Sequence, residues 1–170
     1  VITSLFRDSD NTIWYGSWDK TVYKYNLATA VENSFPSETN SPAAVQDVIK
    51  SFAEDKYKRI WMGGTNSGLH IYDKGTGTFQ HFEHNQLQEG SIADNTINCV
   101  YIDRSGKVWL GTNKGISVSN PAREQFIQHF LPAMPGGHTV IYDFYVDDAG
   151  TLWIGTSEGI FTRKANEAGY

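Results

Sequence analysis

The chain has 170 residues, a net charge of -5 and a pI near 5.5; 14% of its residues are aromatic and only 19% are charged. An acidic chain with 14 scattered Lys and Arg residues lacks the clustered positive charge that phosphate backbones demand, which argues against nucleic acid as the main partner. One cysteine, Cys99, excludes an intramolecular disulfide and a cysteine-based metal site, and no apolar run approaches the length of a membrane span.

Repeats dominate the chain. Trp14, Trp61, Trp109 and Trp153 stand 47, 48 and 44 residues apart. In register with them, an aspartate lies six residues earlier (Asp8, Asp55, Asp103, Asp147). Nine residues earlier is Leu5, Phe52, Val100 or Phe144, and twelve residues earlier is Ile2, Ile49, Ile97 or Ile141. A fixed period of this size marks a stack of supersecondary units.

Taken in chain order, each unit predicts four short strands. The first is an apolar run ending at the aspartate, and its doubly apolar pattern (Val100, Tyr101, Ile102) suits a strand covered on both faces. A tight turn follows, with Asn11, Lys58, Gly106 or Gly150 three residues before the Trp. Glycine and asparagine tolerate positive φ, so a left-handed position is expected there, with strain at Lys58. The aspartate that opens the turn can accept bonds from backbone N–H groups just ahead of it. The second strand carries the Trp, and the glycine two residues later (Gly16, Gly63, Gly111, Gly155) lets that strand approach a neighbour closely.

Third strands are read at Val22 to Tyr25, Leu69 to Tyr72, Ile116 to Val118 and Ile160 to Thr162; fourth strands are read at Phe79 to Phe82 and Phe126 to Phe130. The last of these would also suit a short helix after Pro121, but the second unit offers no such option, and a strand is the preferred reading. Stretches 36–47, 83–95 and 131–139, rich in Ser, Asn, Gly or Pro, read as loops.

Four-stranded antiparallel units every 44 to 48 residues predict an all-β fold, a β-propeller, with blades over residues 1–47, 48–95, 96–139 and 140–170. Four units, the last ending after its third strand, point to part of a larger ring, for example a seven-bladed one. The motif Leu152-Trp153-Ile154-Gly155-Thr156, completed by Gly159-Ile160 and preceded by the Asp147 turn, closely resembles the two-component regulator propeller repeat, as does Asp103 to Ile116. The first unit matches least well, with Ser17 and Thr21 in place of Thr and Gly. The resemblance implies an extracytoplasmic, periplasmic sensor segment of a hybrid two-component receptor. Such a segment would be non-catalytic, would sense a glycan fragment and would signal to a histidine kinase elsewhere in the parent protein.

By analogy with WD-repeat propellers the first strand is innermost, and the turns after the second strand share a face with the loops that enter the first. That face collects Trp18, Asp19, Asn66, Asn113, Lys114 and Glu158 from turns, and Asn40, Gln86, Asn95, Met134 and His138 from loops. Amides, carboxylates and an aromatic in a concavity suit an oligosaccharide, although Asn and Asp also serve simply as turn formers. Trp18 stands out as the Trp outside the register.

The register aspartates recur once per blade and do not converge, so they read as turn residues, not ligands or acid–base groups. His81 and His84 lack the Cys or carboxylate partners of a zinc site. No catalytic residue, metal or cofactor is expected, and no phosphate loop or nucleophile elbow is present. The alternatives are a propeller enzyme (lyase or glycoside hydrolase), which needs two converging carboxylates, and a protein-interaction scaffold. Expected partners are a small-molecule ligand and either further blades or a homodimer, with no direct membrane insertion.

Overall fold

The aspartate of each repeat ties the turn after the first strand to the Trp of the second. In the computed structural model, which describes residues 1–35, 45–120, 125–131 and 138–164, Asp8 Oδ1 accepts the backbone N–H groups of Asp10 and Thr12, both at 2.9 Å. Its Oδ2 accepts Trp14 Nε1 at 2.9 Å. One carboxylate thereby closes the turn and fixes the Trp rotamer. The turn residues Asn11, Lys58, Gly106 and Gly150 have φ of 61°, 66°, 85° and 80°, the left-handed conformation expected at that column.

The first blade contains β1 (Ile2–Arg7), β2 (Thr12–Ser17), β3 (Val22–Asn26) and β4 (Val31–Phe35). The second contains β5 (Ile49–Glu54), β6 (Arg59–Gly64), β7 (Leu69–Asp73) and β8 (Phe79–Phe82). The third contains β9 (Ile97–Ile102), β10 (Val108–Thr112), β11 (Gly115–Asn120) and β12 (Gln125–His129). Each is an antiparallel meander in chain order, and the fourth sheet has three strands among the described residues, β13 (Ile141–Val146), β14 (Leu152–Thr156) and β15 (Gly159–Arg163). Residues 125–129 are therefore a strand, pairing Ile127 with Val118.

First strands lie beside one another, β1 against β5, β5 against β9 and β9 against β13, so they form the inner edge of an arc. Side-chain bonds stitch that edge: Thr3 Oγ1 donates to Ile49 O at 2.7 Å, and Val100 N donates to Ser51 Oγ at 3.0 Å.

Three cores fill the seams. Trp14, Val22 and Phe35 meet Ile49, Phe52 and Met62; Trp61, Leu69 and Ile71 meet Ile97, Val100 and Leu110; Trp109, Ile116 and Val118 meet Ile141, Phe144 and Ile154. Close approach is visible at Gly63, where a Cβ would lie 2.6 Å from Ile97 Cγ2. At Gly155 the nearest atom would be 3.9 Å away, because no sheet among the described residues covers that side. The same contrast holds for the register tryptophans, which are 2%, 5% and 7% exposed at 14, 61 and 109 but 41% at 153. At the other end Leu5 is exposed, whereas its counterparts Phe52, Val100 and Phe144 are buried. The arc thus ends on two apolar faces, each matching one side of an internal seam.

Candidate ligand-binding face

Every turn after a second strand is bonded to the residue just before a first strand. Trp18 N donates to Val1 O at 3.0 Å, Thr65 N to Val48 O at 3.2 Å, Asn113 N to Thr96 O at 3.3 Å and Ser157 N to Val140 O at 3.0 Å. These bonds bring the turns of all four blades to one face, together with the entries to the inner strands.

The mouth of that face is built by the residue after each register isoleucine: Thr3, Lys50, Asn98 and Tyr142. Inner-strand pairing is irregular there, between Ile2 and Ser4, Ile49 and Ser51, Ile141 and Asp143, and opposite Gly111 and Thr112. Such bulges re-aim side chains at sheet rims. Lys50 Nζ donates to Asn98 Oδ1 at 2.9 Å; Asn98 Nδ2 donates to Asn113 Oδ1 at 2.9 Å and to Ile141 O at 3.0 Å. Exposed Tyr142 continues the row on the next blade. An ammonium, two amides and a phenol ring therefore line three adjacent blades. Sequence reasoning selected Asn113 but missed Lys50, Asn98 and Tyr142. The available signal was that this column varies freely beside an invariant isoleucine column.

Asp47 makes the second blade's turn rigid. It is buried, and its oxygens accept Thr65 Oγ1 at 2.7 Å, Asn66 N at 2.8 Å, Ser67 N at 2.9 Å and Ser67 Oγ at 2.8 Å. Burial raises its pKa, but these donors prevail and hold it down at about 2. Asn66 is exposed, and its Nδ2 donates to Thr65 Oγ1 at 2.9 Å.

Other sequence-selected residues are used by their own turns. Asp19 accepts Thr21 N at 2.9 Å and Tyr23 Oη at 3.1 Å; the Thr21 bond leads in lowering its pKa. Lys114 Nζ pairs with Asp94 Oδ2 at 2.9 Å. Glu158 accepts Ser157 Oγ at 3.1 Å and is exposed. Trp18, 65% exposed, stands at the first-blade end of the arc, and His138 is exposed on the entry to β13. Asn40 and Met134 lie outside the described residues. Asn95 Oδ1 accepts His84 N at 2.6 Å, a loop closure. Gln86 is drawn away from the mouth: its loop is tied to β12 by Phe126 N donating to Gly90 O at 2.8 Å, and it borders a groove with Ile127 and Gln128.

The histidine rings are also engaged. His84 Nδ1 lies 2.7 Å from Ile92 O, and His81 stacks on His70 with centroids 4.3 Å apart. Asp8, Asp10 and Glu54 do converge, with ligand atoms close enough for one cation, but Lys74 Nζ fills that place at 3.0, 2.6 and 2.6 Å from them. No helix among the described residues is long and apolar enough to cross a membrane.

Comparison with known proteins places this arc. The family model described as two component regulator propeller matches residues 91–114 and 135–158. The chain is 29% identical over 113 residues to Histidine kinase P4 of Formosa agariphila, a match covering 64% of this chain and 8% of that protein. It superposes with a TM-score of 0.74 and 21% identity on an extracellular domain from B. thetaiotaomicron described as part of a one component system, covering 98% of this chain and 22% of the other. A second extracellular domain from B. thetaiotaomicron, described as part of a hybrid two component system, gives 0.71 and 18%, covering 97% and 28%. At these identities the two superpositions speak to the fold, and the chain spans less than a third of either domain. Residues 91–114 and 135–158 match the two component regulator propeller model, and the chain is a run of β-propeller blades.

Proposed function

We propose that this chain is a non-catalytic, ligand-sensing segment of a larger propeller on the extracytoplasmic, periplasmic side of a two-component receptor. It recognises a glycan fragment and signals to a histidine kinase. The observation that carries this reading is the polar row Lys50–Asn98–Asn113, with Tyr142 beside it, spanning three blades at the mouth of the face. Paired amides match adjacent sugar hydroxyls, and an exposed phenol ring offers a stacking surface. The two repeats of the two-component regulator type and the extracellular setting of the structural relatives support the receptor context. Cys99, whose thiol is pushed up to about 12 by burial and by Asp143, has no nucleophilic character to offer a propeller enzyme.

Calorimetric titration with a panel of neutral and acidic oligosaccharides tests the reading. A binder is expected, and Asn113→Ala and Tyr142→Ala are each expected to weaken it about tenfold, the loss of one hydrogen-bonding or stacking contact. Silence across the panel from both this chain and its full-length parent would sink the glycan reading.

A further inference from the structure

The three seams differ at one column. Third-strand residues paired with the start of the second strand are Tyr72, opposite Ile60, and Arg163, opposite Leu152. Each covers the register Trp of the preceding blade: Tyr72 lies against Trp14 with centroids 6.0 Å apart, and the Arg163 guanidinium lies 5.5 Å from the Trp109 ring. In the third blade the same column holds Ser119, whose Oγ accepts Val108 N at 2.8 Å. A serine cannot reach across the seam. A cavity of about 320 Å³ opens there, with Trp61 and Ser119 both in its wall, a volume within the range of small-molecule sites (~300–1,000 Å³).

The walls are mainly apolar and aromatic: Tyr57, Trp61, Phe82 and Phe126, the last two edge-on at 5.4 Å. The charge is one-sided. Lys56, Arg59 and Lys107 border the cavity, and the one carboxylate in its lining, Asp55, is already bound to Trp61 Nε1 at 3.0 Å and to Arg59 Nε at 2.6 Å. Arg59 lies 5.4 Å from both the Tyr57 and Trp61 rings, and Lys56 Nζ lies 5.0 Å from the Tyr57 ring. Lys56 and Lys107 form no ion pair among the described residues.

We propose that the seam between the second and third blades is a binding site for a small aromatic carboxylate, its ring against the wall formed by Tyr57, Trp61 and Phe82 and its carboxylate toward Lys56, Arg59 and Lys107. Gln80, Asn120 and Gln125 also border the cavity and would meet some sugar hydroxyls, but not those turned onto the rings. Hydroxyls facing Phe82 and Phe126 would lose water without gaining partners, at about 1–3 kcal/mol each. The cavity opens beside the turns that join first to second strands, at the opposite end of the blades from the Lys50–Asn98–Asn113 row, so the two sites stand or fall separately.

The test is calorimetric titration of the full chain with indole-3-acetate, uncharged indole-3-ethanol and glucuronate. Indole-3-acetate is expected to bind at least fivefold more tightly than indole-3-ethanol, with glucuronate weakest. Ser119→Tyr and Ser119→Arg restore the residues that cover the other two seams. Both variants should melt no lower than the parent and bind indole-3-acetate at least tenfold more weakly. If one misfolds, the other carries the test. Lys56→Gln with Lys107→Gln should remove most of the preference for the acid over the alcohol. Absence of saturable indole-3-acetate binding, unchanged binding in a folded Ser119 variant, or tighter binding of glucuronate would each overturn the proposal.

Discussion

Trp109 Nε1 donates to Asp103 Oδ2 at 3.0 Å, while the other oxygen of Asp103 accepts Ser105 N at 2.8 Å and Lys107 N at 3.0 Å. The arrangement recurs in the fourth blade, where Trp153 Nε1 donates to Asp147 Oδ2 at 2.8 Å. The two bonds differ in surroundings, because Trp109 is 7% exposed and Trp153 is 41% exposed. An indole N–H left without a partner away from water carries its full desolvation penalty, whereas an exposed one is solvated. Asp103→Ala is therefore expected to lower stability by ~2–3 kcal/mol and Asp147→Ala by clearly less. Chemical denaturation of the two variants checks the ordering; equal losses would contradict it.

The same asymmetry applies to the rings. Trp109 packs against Phe144 with centroids 6.4 Å apart and joins the core between the third and fourth blades. Trp153 faces an uncovered side of the arc. Replacing a buried Trp by Ala typically costs ~3–5 kcal/mol through lost burial and the cavity left behind. Trp109→Ala is expected in that range and Trp153→Ala near ~1 kcal/mol. In a longer chain whose next blade covers Trp153, the second value should rise toward the first, which denaturation of such a chain would reveal.

The blades were legible because their determinants are local and repeated. Asp55, Lys58, Trp61 and Gly63 fall within nine residues, and each acts on its immediate neighbours, so copies in register expose the pattern. The Asp-to-Trp bond was not legible, since the aspartates already had a sufficient role in closing their turns. The binding face was legible only as a location. Asp19 is taken up by its own turn, while Lys50, Asn98 and Tyr142 reach the mouth from strands, beside bulges. Bulge direction depends on pairing between strands, which residue type does not encode. The seam cavity depends on Ser119 facing Trp61 of another blade across a gap, a juxtaposition of columns that aligning the repeats does not reveal.

His70 supplies a pH dependence. It is buried, stacked on His81, and its Nε2 lies 2.8 Å from Ser67 Oγ. Burial lowers its pKa, His81 adds to this, and nearby Asp47 opposes it, leaving a value of about 4 against an ordinary 6.5. Between those values the unfolded chain binds a proton that the folded chain does not, so stability rises with pH through that window. The contribution is complete above pH ~6.5 and is lost as pH falls toward 4, by on the order of 3 kcal/mol. His70→Phe is expected to flatten the stability profile between pH 4 and 6.5; an unchanged slope would show that another group carries it.

Lys74 gives the sharpest electrostatic test. Its ammonium sits among Asp8, Asp10 and Glu54 at the first seam, with a side chain only 15% exposed. Burial works against its charge, but bonds to Asp10, Glu54 and Asp8 prevail and raise its pKa. Removing it leaves three carboxylates within one cation's reach, and breaking such a network by deleting one partner is strongly destabilising. Lys74→Met keeps the aliphatic stem and removes only the charge and donors. The expected loss at pH 7 is ~2–4 kcal/mol, reduced from the fully buried case because Asp10 is largely solvated. The three acids in the variant repel one another and take up protons more readily than in the parent, where Lys74 helps to hold all three pKa values below their ordinary range. The stability gap between variant and parent should therefore narrow as pH falls from 7 toward 4. Parallel denaturation curves at several pH values measure it directly, and a gap that stayed constant would mean that the loss does not come from the Lys74 charge.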